Sequence, residues 1–348
     1  MKELQFIKIG NRKIGPQFRP LVIFELGINH NGKIKLAKRI VDDAIKAGAE
    51  IIKHQTHIVD EEMSEEAKNA IPGNSKLSIY EIMKKCTLSE EKEKKLMNYI
   101  TNRKKIFISS PFSVEAANRL SRFNVPAFKI GSGECNNYHF IKHICKFKKP
   151  IILSTGMNSI SSIKKSIDII RKNKIPLALL HCTNIYPTPP NLVRLDCIRQ
   201  LKKAYPTCLV GISDHTSTNH TSLAAVALGA RIIEKHFVDS KKVIGPDVSC
   251  SMDPSELKDM ILGSKTIFEA RGGVKKPLKE EKITINFAFA SVCSSVDISP
   301  GQTLSQKNIC LKRPGNGFYS VKDFNRLLGK KVKRFIKKNT QIKKQNLI

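Results

Sequence analysis

Eight short apolar runs recur along the chain, and most of them end in a polar cluster. In order, the runs span residues 21–27, 50–55, 106–110, 127–134, 151–156, 177–184, 208–215 and 231–236. A continuous apolar run is typical of a strand buried on both faces, as in a parallel sheet. Helical patterns separate most of the runs, which indicates repeated βα units. Eight such units close into a (β/α)₈ TIM barrel with its active site where the strands end. The pattern therefore predicts an α/β enzyme.

The segments around the first strands have recognisable patterns. Residues 5–18 alternate apolar and polar positions around Gly10-Asn11, which predicts a β-hairpin that closes the N-terminal end of the barrel. Apolar residues at helical spacing begin at Ile34, and Gly48 provides the end of that first helix. The polar segment 56–77 is long for a compact domain, so we expect it to be functional and to fold over the mouth.

The C-terminal part of the chain changes character. Asp253-Pro254 reads as an N-cap followed by proline at the first helical position, and Gly272-Gly273 ends that helix. We expect residues 1–273 to form the hairpin and the barrel, and residues 274–286 to form a lysine-rich linker. Residues 287–348 contain short strand-like pieces and turns, which predicts a small separate domain.

The charge of the chain is unusual, whereas its hydrophobicity is not. Among 348 residues, 41% are hydrophobic and 26% are charged, as in ordinary soluble proteins, but the net charge is +31. The lysines are spread over predicted outer helices, and Trp is absent, so no stacking platform for nucleic-acid bases is visible. We favour a lysine-rich solvated surface. Binding of a polyanion and attraction of small acidic substrates are the alternatives.

Cysteine usage favours a cytoplasmic protein. The nine cysteines form no CxxC pair, and none lie closer than Cys135 and Cys145, which argues against a zinc knuckle or a disulfide framework. Several, including Cys182 and Cys208, sit inside apolar runs as expected for buried thiols in a reducing compartment. No signal-peptide pattern and no apolar stretch of about 18 residues is seen, so neither secretion by that route nor membrane spanning is expected.

Two histidines end neighbouring strands of the predicted barrel. His215 closes the seventh run and His236 closes the eighth, so both imidazoles should lie at one mouth and share a divalent metal. Two ligands with open positions suit manganese, or magnesium or cobalt, better than a structural zinc site with four protein ligands. The alternative for each is a hydrogen-bonded core histidine, which is our interpretation of the other histidines, with His54 the least certain.

Lysines and hydroxyls should surround the same mouth. Lys53 and Lys129 could form a Schiff base, hold an anion or extend into solvent. Their proximity to Ser110, Ser132 and Ser154 favours a cradle for phosphate and carboxylate groups. The glycines on either side of Ser132 would let backbone amides approach such an anion.

Carboxylates and neutral polar side chains complete the candidate site. Glu25 and Glu134 end apolar strands, where each could act as a general acid or base or pair with a lysine; we favour catalysis for Glu25. Asn184, Tyr186 and Gln55 are suited to a polyhydroxylated ligand, with loop capping as the alternative.

Several motifs together resemble the sialic acid synthases over almost the whole chain. The barrel motifs are Phe24–Gly32, Lys53–Thr56, Lys129–Glu134, Ser154–Met157, His181–Pro187 and Ser213–Thr216. The stretch Lys312–Gly317 is similar to a motif in that family's antifreeze-like (SAF) domain. Each motif alone is modest, but their order along the chain makes the resemblance specific.

The resemblance implies a condensation of phosphoenolpyruvate with an N-acetylated amino sugar, with release of phosphate. It implies that His215 and His236 hold a metal, typically manganese, and that Glu25 takes a proton from the attacking water. Residues implied to bind phosphoenolpyruvate are Lys53, Lys129, Ser110, Ser132, Ser154 and Ser213. Residues implied to hold the open-chain sugar are Asn184, Tyr186, Gln55, Asp247 and Glu134. Arg313 and Phe287 would reach the site of a second subunit, which implies a domain-exchanged homodimer.

The finer resemblance concerns the sugar. His54, the continuation His57-Ile58-Val59 and the stretch 133–138 look most like bacterial N-acetylneuraminate synthases that use N-acetylmannosamine. Legionaminate synthases, which use 2,4-diacetamido-2,4,6-trideoxymannose, are the second candidate. Two positions depart from the pattern: Ser110 stands where threonine is common, and the loop 240–244 lacks an expected arginine.

Two other classes of function make different predictions. A class I aldolase would depend on one Schiff-base lysine and no metal. A binding module using the C-terminal domain and the basic surface would bind heparin or nucleic acid in a salt-sensitive way. We expect the enzyme, with neither nucleic acid nor membrane as a partner.

Overall fold

The computed structural model describes residues 6–72, 76–243, 245 and 247–348. It divides the chain into two compact units, Met1–Arg271 and Gly272–Ile348. The first unit contains the hairpin and the barrel, and the second contains the segment 274–286 that the sequence presents as a linker.

Eight parallel strands close into a barrel, as the apolar runs predicted. They follow two hairpin strands, β1 (Ile7–Ile9) and β2 (Arg12–Ile14). The barrel strands are β3 (Leu21–Glu25), β4 (Ile51–Thr56), β5 (Ile106–Pro111), β6 (Phe128–Ile130), β7 (Ile151–Ser154), β8 (Leu177–Cys182), β9 (Leu209–Asp214) and β10 (Ile232–His236). Each pairs with the next in the chain, and β10 closes the ring against β3.

Helices cover the outside of the barrel or lie in the segments that follow its strands. They are α1 (Ile34–Lys46), α2 (Val59–Glu62), α3 (Ile79–Cys86), α4 (Glu90–Thr101), α5 (Val114–Arg122), α6 (Tyr138–Cys145), α7 (Lys164–Lys172), α8 (Asp196–Ala204), α9 (His220–Ala227) and α10 (Pro254–Ala270). The predicted ends are confirmed: Gly48 follows α1 with φ +106°, and the Asp253 side chain caps α10 in a capping box with Glu256.

Alternation along each strand decides which side chains reach the barrel interior. In β3, Leu21 and Ile23 belong to the interior cluster, whereas Phe24 packs towards the helices. Successive side chains of a strand point to opposite faces, so Glu25 continues the inward set. In β10, Ile232 points inward by the same criterion. The sequence alternation thus brings the last inward residue of each strand to the C-terminal mouth.

The N-terminal hairpin plugs the other end of the barrel, as predicted. Its strands are antiparallel, with Ile7 opposite Ile14, and Gly10 in the turn has φ +57°. The side chains of Ile7, Ile9 and Ile14 are buried in one cluster with the lowest interior residues of the barrel, among them Leu21. Apolar contact therefore closes the lower end.

The segment 56–77 contains more regular structure than a plain loop. It includes α2 and a 3₁₀ turn over Glu65–Lys68. Residues 73–75 lie outside the described residues. That the segment folds over the mouth stays a prediction.

The C-terminal unit has its own small core. Strands β11 (Ser291–Ser294) and β12 (Ile309–Lys312) pair antiparallel, and α12 spans Phe324–Leu327. The buried core includes Val292, Ile309 and Val332. The segment 274–286, predicted as a linker, contains regular structure, because α11 (Lys282–Ala288) begins within it.

Two further expectations concern the cysteines and the presence of a membrane-spanning helix. The nine cysteines are free thiols, and seven of them are buried. Within the residues that the structure describes, we find no helix with the length and apolar character needed to cross a bilayer.

Candidate active site

A buried carboxylate lies between the two candidate lysines at the mouth. Glu234 Oε1 lies 3.4 Å from Lys129 Nζ and 3.8 Å from Lys53 Nζ, and it accepts a 3.0 Å hydrogen bond from the Ser213 hydroxyl. Burial alone raises the pKa of Glu234, but the two ammonium groups outweigh it and hold the pKa below its ordinary value. Glu234 thus offsets one of the two positive charges.

The two lysines differ in their electrostatic environment. Burial lowers the pKa of Lys53, but Glu234 and Glu25 outweigh burial and hold it above its ordinary value. For Lys129, burial prevails over the attraction of Glu234, and its pKa is lowered. Lys53 is therefore the more firmly cationic of the pair.

Glu25 joins this cluster from the neighbouring strand. Its carboxylate forms an ion pair with Lys53, which stands opposite it in the β3–β4 register. Its Oε1 atom accepts a 2.8 Å hydrogen bond from the backbone amide of Gly27. Pairing with a lysine, one of the two roles left open for Glu25, is present in the structure, and it places the carboxylate at the mouth.

Hydroxyl groups surround the lysines. The Lys53 ammonium donates to Ser110 Oγ at 3.2 Å, and Gly156 N donates to Ser132 Oγ at 3.1 Å. The buried Ser154 Oγ has no hydrogen-bond partner among the described residues, so it is free to donate to a ligand. A Cβ on Gly133 would meet no protein atom within 4 Å, so the approach of backbone amides to an anion at this glycine stays a prediction.

The two candidate metal ligands lie side by side at the mouth, on neighbouring strands, with their rings tilted by 44°. The ring centroids of His215 and His236 are 5.5 Å apart. His215 Nδ1 lies 3.0 Å from the Thr183 carbonyl oxygen, which accepts a hydrogen bond from it. This leaves the lone pair of Nε2 available. His236 Nδ1 is buried without a hydrogen-bond partner in the described structure and lies 3.5 Å from Asp247 Oδ2. Burial lowers the pKa of each histidine to about 4, so both rings are neutral near pH 7.

These donors fit a divalent metal ion. Neutral imidazoles are the form that ligates, and an orphaned buried ring nitrogen is a site that a cation would satisfy. Burial raises the pKa of the nearby Asp247 to about 6. Within residues 6–72, 76–243, 245 and 247–348, no group of three His, Cys, Asp or Glu residues has a geometry that could hold a metal ion. A bound ion would therefore need water or substrate to complete its coordination.

Gly27 provides space for this arrangement. Its φ is +52°, and a Cβ there would lie 2.9 Å from His236 Nδ1 and 3.1 Å from Asp247 Oδ2. Only glycine combines that backbone conformation with the absence of a side chain.

Two of the candidate sugar-binding residues lie against the histidines or the serines. The Tyr186 ring centroid is 4.1 Å from that of His215, and burial raises the pKa of its phenol. Asn184 packs so closely on Gly156 that a Cβ there would lie 1.9 Å from its Oδ1 atom. The same amide oxygen accepts from the inward-facing Cys182 thiol at 3.5 Å.

Other candidates lie at the edge or elsewhere. Glu134 Oε2 accepts from Asn137 at 2.8 Å, and burial raises the pKa of Glu134. Phe287 on α11 and Arg313 after β12 are exposed residues of the C-terminal unit. Their contact with a partner's active site stays a prediction.

His54, the least certain of the other histidines, points away from the mouth. Its Nδ1 lies 3.2 Å from Glu93 on α4, and that carboxylate also contacts Thr56 and Arg119. It is a hydrogen-bonded core residue, the interpretation that the sequence favoured.

The sequence patterns did not point to Glu234 as a site residue, nor to the pair Asp214 and Lys235. Glu234 stands two residues before His236, and this spacing in a strand puts both on the inner face. That parity was a usable signal. Lys235 and Asp214 are outward neighbours of the two histidines, and their side chains are 1% exposed.

Comparisons with known proteins agree with this architecture. A model of the NeuB family matches residues 40–276, and a model of the SAF domain matches residues 289–348. The chain is 37% identical to the N,N'-diacetyllegionaminic acid synthase of Campylobacter jejuni, covering 90% of this chain and 95% of that protein. It is 35% identical to a pseudaminic acid synthase of the same species, with 95% and 97% covered.

A solved structure extends the likeness to sialic acid. The N-acetylneuraminic acid (sialic acid) synthetase from Leptospira borgpetersenii, in complex with citrate, matches with a TM-score of 0.74 and 30% identity, covering 81% of this chain and 95% of that chain. The fold and the relatives define a sugar-acid synthase built from a TIM barrel and a SAF domain. The chain belongs to the NeuB family, the family of the nonulosonic acid synthases.

Proposed function

We propose that this protein condenses phosphoenolpyruvate with N-acetylmannosamine and water to give N-acetylneuraminate and phosphate. The observation that carries the proposal is the cluster of Lys53, Lys129 and Glu234 beside two adjacent neutral imidazoles. The lysines supply cationic charge for an acidic substrate, and the histidines supply ligands for a divalent metal. Both features lie at one mouth. The free thiols are compatible with the cytoplasm as the place of reaction.

The lysine-lined part of the mouth is our proposed site for phosphoenolpyruvate. An enol phosphate carries phosphate and carboxylate groups that ammonium and hydroxyl donors bind in charge-assisted hydrogen bonds. The proposed donors are Lys53, Lys129, Ser110, Ser132, Ser154 and Ser213. Ser154 supports the proposal most directly, because its buried hydroxyl has no partner in the described part of the chain.

We propose that the sugar binds above this site, between the histidines and the rim. The proposed contacts are Asn184, Tyr186, Gln55, Asp247 and Glu134. Arg313 and Phe287 of a second subunit would complete the site in a homodimer, as the resemblance implies.

The reaction forms one C–C bond and one C–O bond to water, and it breaks the C–O bond to phosphate. C3 of phosphoenolpyruvate attacks the sugar aldehyde, whose oxygen takes up a proton, and C2 becomes electron-poor. Water adds to C2 and gives a proton to Glu25, which lies at the mouth in contact with Lys53. The bond between C2 and the phosphate oxygen then breaks while the C2 hydroxyl gives its proton to the departing phosphate and becomes the keto group. Lys53 and Lys129 stabilise the departing phosphate.

His215 and His236 would hold the metal ion, with manganese preferred over magnesium or cobalt. When bound, such an ion polarises the sugar's carbonyl group as a Lewis acid. The protein's own contribution is to hold the two imidazoles neutral and to orient His215 through the Thr183 carbonyl.

A second sugar has a specific observation in its favour. The chain is 37% identical to a protein named N,N'-diacetyllegionaminic acid synthase, so 2,4-diacetamido-2,4,6-trideoxymannose is the alternative substrate. The motif resemblance around His54 and His57 favours N-acetylmannosamine.

The test is incubation with phosphoenolpyruvate, Mn²⁺ and a panel of amino sugars, followed by phosphate release and product mass. We expect turnover of N-acetylmannosamine that is lost with EDTA and in His236→Ala. Faster turnover of the diacetamido sugar would transfer the assignment to the alternative. Trapping of a lysine adduct with pyruvate and borohydride, together with activity that survives EDTA, would replace both with an aldolase.

A further inference from the structure

Gln55, a proposed sugar contact, is held from behind by a histidine. Its Oε1 atom lies 3.1 Å from His57 Nε2. Gln55 shares the inward parity of Lys53 on β4 and stands opposite Ser110 in the β4–β5 register, so it is placed at the mouth. His57 itself is buried.

The other nitrogen of His57 is anchored as well. His57 Nδ1 lies 2.9 Å and 3.0 Å from the two carboxylate oxygens of Glu62 on α2. The Glu62 side chain is only 4% exposed, and the imidazole stacks on the Phe112 ring at 4.3 Å with an interplanar angle of 12°. The ring therefore has a fixed position and a fixed plane.

These contacts determine which end of the Gln55 amide is left for a ligand. A carboxylate only accepts hydrogen bonds, so Nδ1 is the donor in its hydrogen bond to Glu62. In the structure it is the amide oxygen of Gln55 that lies on the side of His57 Nε2. With the oxygen engaged, the NH₂ group is the end that remains for the mouth.

We infer that His57, anchored by Glu62, is a positioning residue that fixes the Gln55 amide with its NH₂ group towards the sugar. The inference rests on the proposed function and adds a determinant of sugar recognition outside the binding surface. It predicts that the pocket offers a hydrogen-bond donor at this point, suited to a hydroxyl or carbonyl oxygen of the sugar. His57 touches no reacting atom in this scheme and acts through Gln55 alone.

The test measures KM for the sugar and for phosphoenolpyruvate separately in the full-length protein. His57→Phe keeps an aromatic ring on Phe112 but removes both hydrogen bonds, and Glu62→Ala removes the anchor while leaving the histidine. We expect each to raise KM for the sugar about five- to tenfold, the loss of about one hydrogen bond. KM for phosphoenolpyruvate should stay within about twofold of the wild-type value.

A double-mutant cycle separates positioning from general structure. In the Gln55→Leu background, His57→Phe should cause no further change in KM for the sugar, because the amide on which it acts is gone. Asp60→Ala is the matched control: Asp60 lies on the same short helix and bonds to the exposed Tyr80 hydroxyl, so KM should not change.

The outcomes distinguish the two levels of proposal. If wild-type protein turns over no amino sugar, the proposed function fails and takes this inference with it. If wild-type protein is active but the His57 and Gln55 effects are additive, or both KM values rise together with a fall in Tm, His57 is structural and only the inference is overturned.

Discussion

The Asp214 carboxylate and the Lys235 ammonium group face each other on the outer side of the barrel wall, with Oδ2 and Nζ 3.5 Å apart. Each residue immediately precedes one of the two candidate metal ligands, and the two are directly opposite in the β9–β10 register. Burial alone raises the pKa of Asp214, but Lys235 and the hydroxyls of Ser222 and Thr221 hold it below its ordinary value. The pair ties together the strands that carry both imidazoles.

Removing one partner of this pair should be costly. Lys235→Met leaves Asp214 buried without its counter-ion, so we expect a loss of about 3–5 kcal/mol in the free energy of unfolding. Denaturant titration measures it. The double variant Lys235→Met/Asp214→Leu should recover part of the loss. As a control, Lys164→Met removes an exposed ion pair with Asp168 and should leave stability unchanged. A Lys235→Met protein as stable as the wild type would contradict the role of the pair.

Gly27 should be intolerant of even one methyl group. Gly27→Ala places a Cβ against His236 and adds a left-handed backbone conformation that costs about 1–2 kcal/mol. We expect the displaced ring to bind Mn²⁺ at least about tenfold more weakly, as measured by isothermal titration calorimetry. Gly133→Ala is the matched control, since its Cβ meets open space and φ is not positive. Equal Mn²⁺ affinity in the two variants would refute the steric argument.

Glu25 should affect the rate more than substrate binding. Glu25→Gln keeps the shape but cannot take a proton, so kcat should fall by about 10²- to 10³-fold, in the range of lost general-base catalysis. Steady-state kinetics with both substrates measures this. Glu134→Gln, by comparison, should act mainly on KM for the sugar. A Glu25→Gln enzyme that keeps a tenth or more of wild-type kcat would exclude Glu25 as the base.

His30 should make the barrel sensitive to acid. Burial, with smaller contributions from His54 and His57, lowers the pKa of His30 to about 3. The unfolded chain takes up a proton below about pH 6.5 that the folded protein refuses, so stability is full above that pH. The contribution of His30 alone should fall by about 1.4 kcal/mol per pH unit as the pH decreases towards 3.

Comparison of variants isolates this contribution. His30→Phe retains a ring to stack on His54, which lies 5.4 Å away between centroids, and should show a shallower loss of unfolding free energy from pH 6.5 to pH 5. His220→Gln, at an exposed position, should keep the wild-type slope. Identical slopes in all three proteins would show that His30 is not the origin of the effect.

The fold followed from the sequence because its signals are local. Continuous apolar runs indicate buried strands, Gly10-Asn11 marks a tight turn, and Asp253-Pro254 marks a helix start, all without knowledge of distant partners. The candidate mouth followed for the same reason, since His215 and His236 end consecutive strands and β9 pairs with β10.

The site residues that the sequence did not reveal depend on contacts between strands that are distant in the chain. Glu234 looks like one acid in an apolar strand until the closed ring brings Lys129, four strands away, to 3.4 Å. The anchoring of Gln55 by His57 and Glu62 likewise depends on how the chain turns after β4. Strand parity limits which side chains point inward, but it does not say which of them meet.

The hairpin of Ile7, Ile9 and Ile14 seals one end of the barrel with hydrocarbon. In the part of the chain that the structure describes, the lower end is closed, so we expect a molecule beside Glu234 to arrive and depart through the mouth. When two substrates enter through the same closed-ended opening, the one that binds deeper has to bind first. Its leaving group can escape only after the outer substrate has been converted. Under the proposed function, the hairpin would therefore impose an order on substrate entry and product exit in each turnover.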